Sequence, residues 1–180
     1  MKKIAKDDAC FFTQQPFLIG TYDPEGAPRF ATISWISYTF GPPACLVVSM
    51  YGKKHTRDNI ERTGQFTAGL VTPELLPLCE HFNRATHRPD LTPDWAARPA
   101  QIVEAPLLAE AKFSYELKVI QKVEIGDCVT YFGEIQRVDA SEEIQNLEFF
   151  DLRKINPVIY SPYHYFTVGE HLGEIGDYSK

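Results

Sequence analysis

The sequence predicts a mainly β protein, an antiparallel barrel with a few short helices attached. Three observations predict it. Six or more short apolar or alternating runs are separated by turn residues, while only two or three stretches read as helices. These runs do not follow the regular strand–helix–strand order that a parallel sheet requires. Aromatic residues make up 13% of the chain, with 12 Phe and 9 Tyr, which suits a β-rich core or an aromatic-lined pocket.

The elements follow in order. Residues 17–22 form an apolar run that ends at Asp23-Pro24-Glu25-Gly26. There Asp bonds its own backbone, Pro presets φ and Gly closes a β-turn. Residues 29–38 alternate as the returning strand of a hairpin, with Phe30, Thr32, Ser34 and Ile36 on one face. Gly41-Pro42-Pro43 breaks the chain, and residues 44–50 (ACLVVSM) read as a buried strand. A helix begins near His55 or Thr56, with Thr56 as the candidate N-cap, and Gly64 stands where a glycine ends a helix. Residues 65–71 return as a strand, and residues 74–82 are a second helical stretch interrupted by Pro77. Residues 83–100 show no period and read as a long irregular loop. Two strands, 115–125 and 128–138, meet at Gly126-Asp127. Ser141 caps a short helix that Asn156-Pro157 ends, and residues 158–159 and 163–168 supply the last strand material. The 180 residues suit one domain, 1–180, with a real core.

Composition bounds the partners. A net charge of −6 argues against nucleic acid and anionic membranes, since both select basic patches. The four cysteines (Cys10, Cys45, Cys79, Cys128) show no CxxC spacing, and the first residues hold no apolar signal core. The expectation is a reduced, cytoplasmic protein. None of the five histidines forms HxH or HxxxH, so no metal site is expected. His81 and Asn83 are candidates to line a pocket or to lie on the surface.

Two stretches could carry chemistry. In residues 49–60 a buried strand passes a glycine, collects Lys53, Lys54, His55 and Arg57, and enters a helix. A helix start offers unpaired N–H groups and partial positive charge, so this corner suits one phosphate. Read locally, a solvated loop before an ordinary capped helix is the favoured reading. It has neither the Walker spacing nor GxGxxG, which favours an FMN phosphate over ATP or NAD. In residues 30–36 (FATISWI), Thr32 and Ser34 could bond a polar ring edge while Trp35 packs on a flat one. The plain alternative is a barrel wall.

Taken together, PRFATISWISY, GPPACLVVSM and KKHTRDNIERTGQF, then GDCVTYFGEIQRVDA and INPVIYSPYHYFTVGEHLG, resemble the flavin reductase and flavoredoxin family in the right order over residues 16–173. The resemblance implies an FMN-binding split β-barrel, antiparallel and Greek-key-like, that binds the cofactor across a homodimer interface. It places Thr32, Ile33, Ser34 and Trp35 at the isoalloxazine and ribityl chain. Ser49, Met50 and Tyr51 follow on the next strand, and Lys53, His55, Thr56 and Asn59 fall at the phosphate end. Asn59 has a competing role as a brace for the helix. Cys128 stands where family reductases often carry a histidine, which sets NAD(P)H use apart as a separate question. A buried inert thiol is the commoner state of such a cysteine. The implied function is an FMN-binding, NAD(P)H-linked flavin reductase or related oxidoreductase; the alternative is a flavoredoxin-like electron carrier. A barrel without flavin, serving as a binding module, is a third reading. No catalytic residue is assigned.

Overall fold

The computed structural model describes residues 13–84, 94–147, 151–161, 163–175 and 177. β1 (Phe17–Tyr22) and β2 (Pro28–Ile33) form the predicted first hairpin. Its turn works as expected: Asp23 Oδ1 accepts the Glu25 and Ala27 N–H groups at 3.1 and 2.8 Å, and Gly26 sits at φ 81°. β3 (Ile36–Thr39) and β4 (Cys45–Tyr51) form the second hairpin. Helix α1 (His55–Thr63) leads to β5 (Gln65–Leu70). A 3-10 turn, Pro73–Leu75, runs into α2 (Leu76–Arg84). The short strands β6 (Ala97–Pro99) and β7 (Pro106–Leu108) pair with each other, ahead of β8 (Phe113–Ile125) and β9 (Cys128–Ala140). Two short helices, α3 (Glu142–Gln145) and α4 (Leu152–Ile155), precede the closing hairpin of β10 (Ile159–Ser161) and β11 (His164–Phe166).

Seven strands make one antiparallel sheet in the order β2-β1-β5-β8-β9-β4-β3. Its edge strands are β2 and β3, yet only Ser34 and Trp35 separate them in the chain. A flat sheet would hold those edges about 29 Å apart, at about 4.8 Å per step. The three peptide steps from Ile33 to Ile36 reach at most about 11 Å. The sheet must therefore roll up, and the Ser34–Trp35 link closes it. This corrects the single strand expected over 29–38: barrel closure bends the chain there. An Ile36 N–H bond back to Ser34 O at 3.0 Å makes the bend, and Trp35 O accepts the Ser49 N–H at 2.9 Å.

The barrel is split along its longest hairpin. β5 pairs only with residues 114–118 of β8, and β4 only with residues 128–134 of β9. Past Lys118, β9 is the one strand paired with β8 among the described residues, and the ladder shifts between Val119 and Gln121. Such bulges sharpen twist and re-aim a strand.

The core explains why β1 is apolar on both faces. Phe17 and Ile19 enter the barrel interior with Leu46, Val48, Met50, Phe66 and Tyr131. Leu18 points the other way, joining Phe30, Leu75, Leu78 and Cys79 beneath α2. Helix α1 contributes Ile60 to the interior from one end of β1, while Ile155 of α4 joins it from the other. The helix α1 ends as predicted, with Gly64 at φ 67° donating to Ile60 O. Its start differs. Lys54, not Thr56, holds the N-cap position without a side-chain cap, and Thr56 is buried inside the first turn. Gly52 at φ 71° sends the chain into the helix two residues earlier than the hydroxyl suggested.

Of the loop expected over 83–100, residues 85–93 lie outside the described ones, residues 83–84 end α2, and residues 97–99 form β6, which pairs with β7. Three-residue strands joined at a Pro99–Pro106 pair leave little periodicity to read. The chain between them is held by Glu116. Its fully buried carboxylate accepts the N–H groups of Gln101, Ile102 and Val103 at 3.1, 2.6 and 3.3 Å. Glu116→Ala would strand all three donors, so unfolding free energy should fall by about 3 kcal/mol. A urea midpoint lowered at unchanged slope checks this; an unshifted midpoint would refute it.

Candidate flavin site

Strand alternation sorts the predicted residues. In β4, Leu46, Val48 and Met50 face the interior, while Val47, Ser49 and Tyr51 face outward. Ile33 of β2 is likewise interior. The side chains of Ile33 and Met50 are thus core groups, and their part in any site is limited to the main chain. Trp35 at 43% exposure and Tyr51 at 60% stand on the outer surface. Thr32 donates its hydroxyl to Cys79 O at 3.3 Å, which braces β2 against α2.

Ser34, Trp35 and Ser49 come together around one outer-face cavity of about 500 Å³. Thr13, Gln14, Ile36, Ser37 and Val47 complete its lining. This size falls within the range of about 300–1,000 Å³ usual for small-molecule sites. Ser49 Oγ and Thr130 Oγ1 share a hydrogen bond of 2.7 Å across β4 and β9, which fixes the hydroxyl pair at the cavity's edge. Sequence reasoning missed Thr13, Gln14, Ser37 and Val47. For Ser37 and Val47 the signal was available, since they pair across β3 and β4 on the outward register.

Lys53 lines a second cavity of about 730 Å³ with Gly52, Arg57, Asp58, Glu61, Lys122, Glu124 and Asp127. Its charges are largely paired. Lys122 reaches Glu61 at 3.0 Å and Glu124 at 3.2 Å, and the nearly buried Tyr131 donates its hydroxyl to Glu61 at 2.8 Å. Burial opposes the Glu61 charge, but the bonds from Lys122 and Tyr131 outweigh it and hold the carboxyl below its ordinary range. Burial, then the Glu61 bond, pushes the Tyr131 hydroxyl well above the usual phenol value. This network ties α1 to the β8–β9 hairpin. Four carboxylates face three cations here, so the cavity is no positive basin. Lys53, Lys54 and His55 are exposed just ahead of the first turn of α1, which has no side-chain cap.

Asn59 takes the bracing role. It is buried, and its Nδ2 donates to Thr21 Oγ1 of β1 at 3.1 Å. The His81 ring lies 5.4 Å from that of Phe82 of α2 at a tilt of 60°, and neither His81 nor Asn83 lines the two cavities. Cys128 is a half-buried free thiol opposite Tyr51. Burial raises the Cys79 thiol to about 11, which makes it unreactive. Among the described residues, no cluster of His, Cys, Asp or Glu could hold a metal ion, and no helix is long and apolar enough to cross a membrane.

The outer-face cavity fits a flavin by its chemistry. It offers a broad aromatic surface in Trp35, hydroxyls for ring carbonyls, and a buried Gln14 Oε1 with no partner. The fold is similar to the flavoredoxin of Desulfovibrio vulgaris (Miyazaki F), with a TM-score of 0.84, 24% identity and full coverage of both chains. It is also similar to the styrene monooxygenase flavin reductase of Pseudomonas putida S12, with a TM-score of 0.71 at 16% identity, covering 88% of this chain and 92% of that one. A split-barrel domain protein of Shewanella frigidimarina NCIMB 400 gives a TM-score of 0.76 at 22% identity, covering 91% and 85%. An uncharacterised protein of Aquifex aeolicus (strain VF5) is 25% identical over 142 residues, 70% of this chain and 68% of its own. The family model for the flavin reductase like domain matches residues 10–169. The chain therefore belongs to the flavin reductase like family, and its function is flavin-related.

Proposed function

We propose that the chain is an FMN-dependent oxidoreductase of the flavin reductase type, with NAD(P)H as electron donor. The observation that carries this reading is the outer-face cavity, which gathers Ser34 and Trp35 with Ser49 from two separate stretches of sequence. Trp35 would take the flat of the ring, and the hydroxyls of Ser34, Ser37 and Ser49 would address its polar edge. Lys53, Lys54 and His55, with the free N–H groups of α1, would hold the phosphate. Bound flavin supplies hydride and one-electron chemistry, and the protein supplies its placement and surroundings. No side chain is assigned an acid or base role.

A homodimer in the cytoplasm completes the proposal. Tyr51, Val123 and Ile125 are exposed at 60, 39 and 76% on the same outward register as Ser49 and Thr130. Such an apolar stripe beside the cavity is an apt surface for a second copy.

A flavoredoxin-like carrier is the second reading, favoured by the full-length likeness to the Desulfovibrio flavoredoxin and by the net charge of −6, which would steer a basic partner. Steady-state NAD(P)H consumption with FMN separates the two. Turnover supports the reductase, and bound FMN without turnover supports the carrier. The phosphate assignment has its own check. Lys53→Ala should weaken FMN by about 1–2 kcal/mol while leaving riboflavin affinity unchanged. An equal loss for both ligands would remove Lys53 from the phosphate site.

A further inference from the structure

Gln14 enters the cavity wall from just ahead of β1, on a main chain that is unusually constrained. Its N–H donates to Tyr160 O at 3.0 Å, and its carbonyl accepts the Tyr160 N–H at 2.7 Å, forming an isolated bridge to β10. The preceding Thr13 sits at φ 43°, in the left-handed region that a β-branched residue avoids. Strain of this kind persists where the surroundings fix it, and it gathers at ligand sites. Gln14 then lines the cavity beside Ser34, Trp35 and Ser49.

The side chain ends in an unmet demand. Gln14 Oε1 is buried and accepts no hydrogen bond, whereas Ser49 and Thr130 satisfy each other. A buried acceptor without a donor is costly, and proteins keep few of them. Of the three such side-chain atoms among the described residues, this is the one whose residue lines the cavity. It asks for a ligand N–H. The pyrimidine end of an isoalloxazine carries a single N–H, the imide N3, between two carbonyls. Ser34 and Ser37 line the same cavity and can donate to those carbonyls.

We propose that Gln14 Oε1 accepts the imide N–H of the flavin and thereby selects the pyrimidine edge of the ligand. This rests on the reading that the cavity takes flavin. It assigns a recognition role to a residue outside both sequence stretches that carried the cofactor motifs.

Binding of FMN and of N3-methyl FMN, followed by flavin fluorescence in wild type and Gln14→Ala, tests it. Wild type should bind the methylated flavin about tenfold more weakly than FMN, because the donor is gone and Oε1 stays unpaired. Gln14→Ala should bind FMN about tenfold more weakly than wild type and no longer distinguish the two flavins. Without ligand, Gln14→Ala should melt no lower than wild type, because an unpaired acceptor has been removed; a purely structural Gln14 would lower the melting temperature. Equal binding of both flavins by wild type, or discrimination kept in Gln14→Ala, would overturn the inference while leaving the flavin reading standing. The wild-type comparison decides even if the variant does not fold. Binding of neither flavin by wild type would overturn both.

Discussion

Gly20→Ala should lower unfolding free energy by about 3 kcal/mol or more. Gly20 lies mid-way along β1, where β2 and β5 flank it. A Cβ there would fall inside the contact distance of Pro106 O and Thr67 Oγ1, and 2.8 Å from the Phe30 ring. Thr67 and Pro106 are already hydrogen-bonded to each other, so neither withdraws freely. Phe30 is wedged against Phe82 and Trp95, with ring centroids at 5.5 and 5.7 Å. The obstruction is main chain, a locked hydroxyl and a packed ring, so relief requires moving β7 off the barrel. Thermal melting and urea unfolding measure the effect. A variant within 1 kcal/mol of wild type would mean that β7 does not pack on β1 as described.

Trp35→Ala should weaken FMN by about 2 kcal/mol, roughly thirtyfold in Kd, with little change in stability. The indole is a large flat group at the edge of the cavity, and it remains 43% exposed, so the fold depends little on it. What holds the bend at this position is main chain: Trp35 O still accepts the Ser49 N–H after the substitution. A ring ligand lying on the indole buries a large apolar area against one rigid surface, which is why a single tryptophan can dominate binding. Flavin fluorescence titration gives the affinity, and a melt in parallel gives the stability. A large fall in melting temperature would reassign Trp35 to structure. Unchanged affinity and melting would place the ring elsewhere.

The parts of the fold that were legible are those fixed by local chemistry. The Asp23–Gly26 turn, the Gly64 helix end and the β8–β9 hairpin each depend on residues within one turn of each other. What escaped depends on closure. Nothing within residues 29–38 announces that Ser34 and Trp35 must join opposite edges of a seven-stranded sheet. β6 and β7 are three residues each and owe their existence to each other and to the Glu116 carboxylate.

The candidate site divides the same way. The motif stretches led to Ser34, Trp35 and Ser49, which the structure gathers into one cavity. Consecutive residues were read together, although a strand presents only alternate ones, so Ile33 and Met50 fell in the core. Thr56 looked like a cap because hydroxyls favour that position, but Gly52 and Lys54 set the helix start. Gln14 carried no local signal. Its role emerges only when β10 folds back on it and leaves its amide oxygen without a donor.

The most direct test of the account is a crystal structure of the protein grown with FMN. The isoalloxazine should lie in the outer-face cavity, over Trp35 and within reach of Ser49 and Gln14, with the phosphate toward Lys53 and the start of α1. A ring held instead between Arg57, Glu61 and Lys122, or inside the barrel, would contradict it.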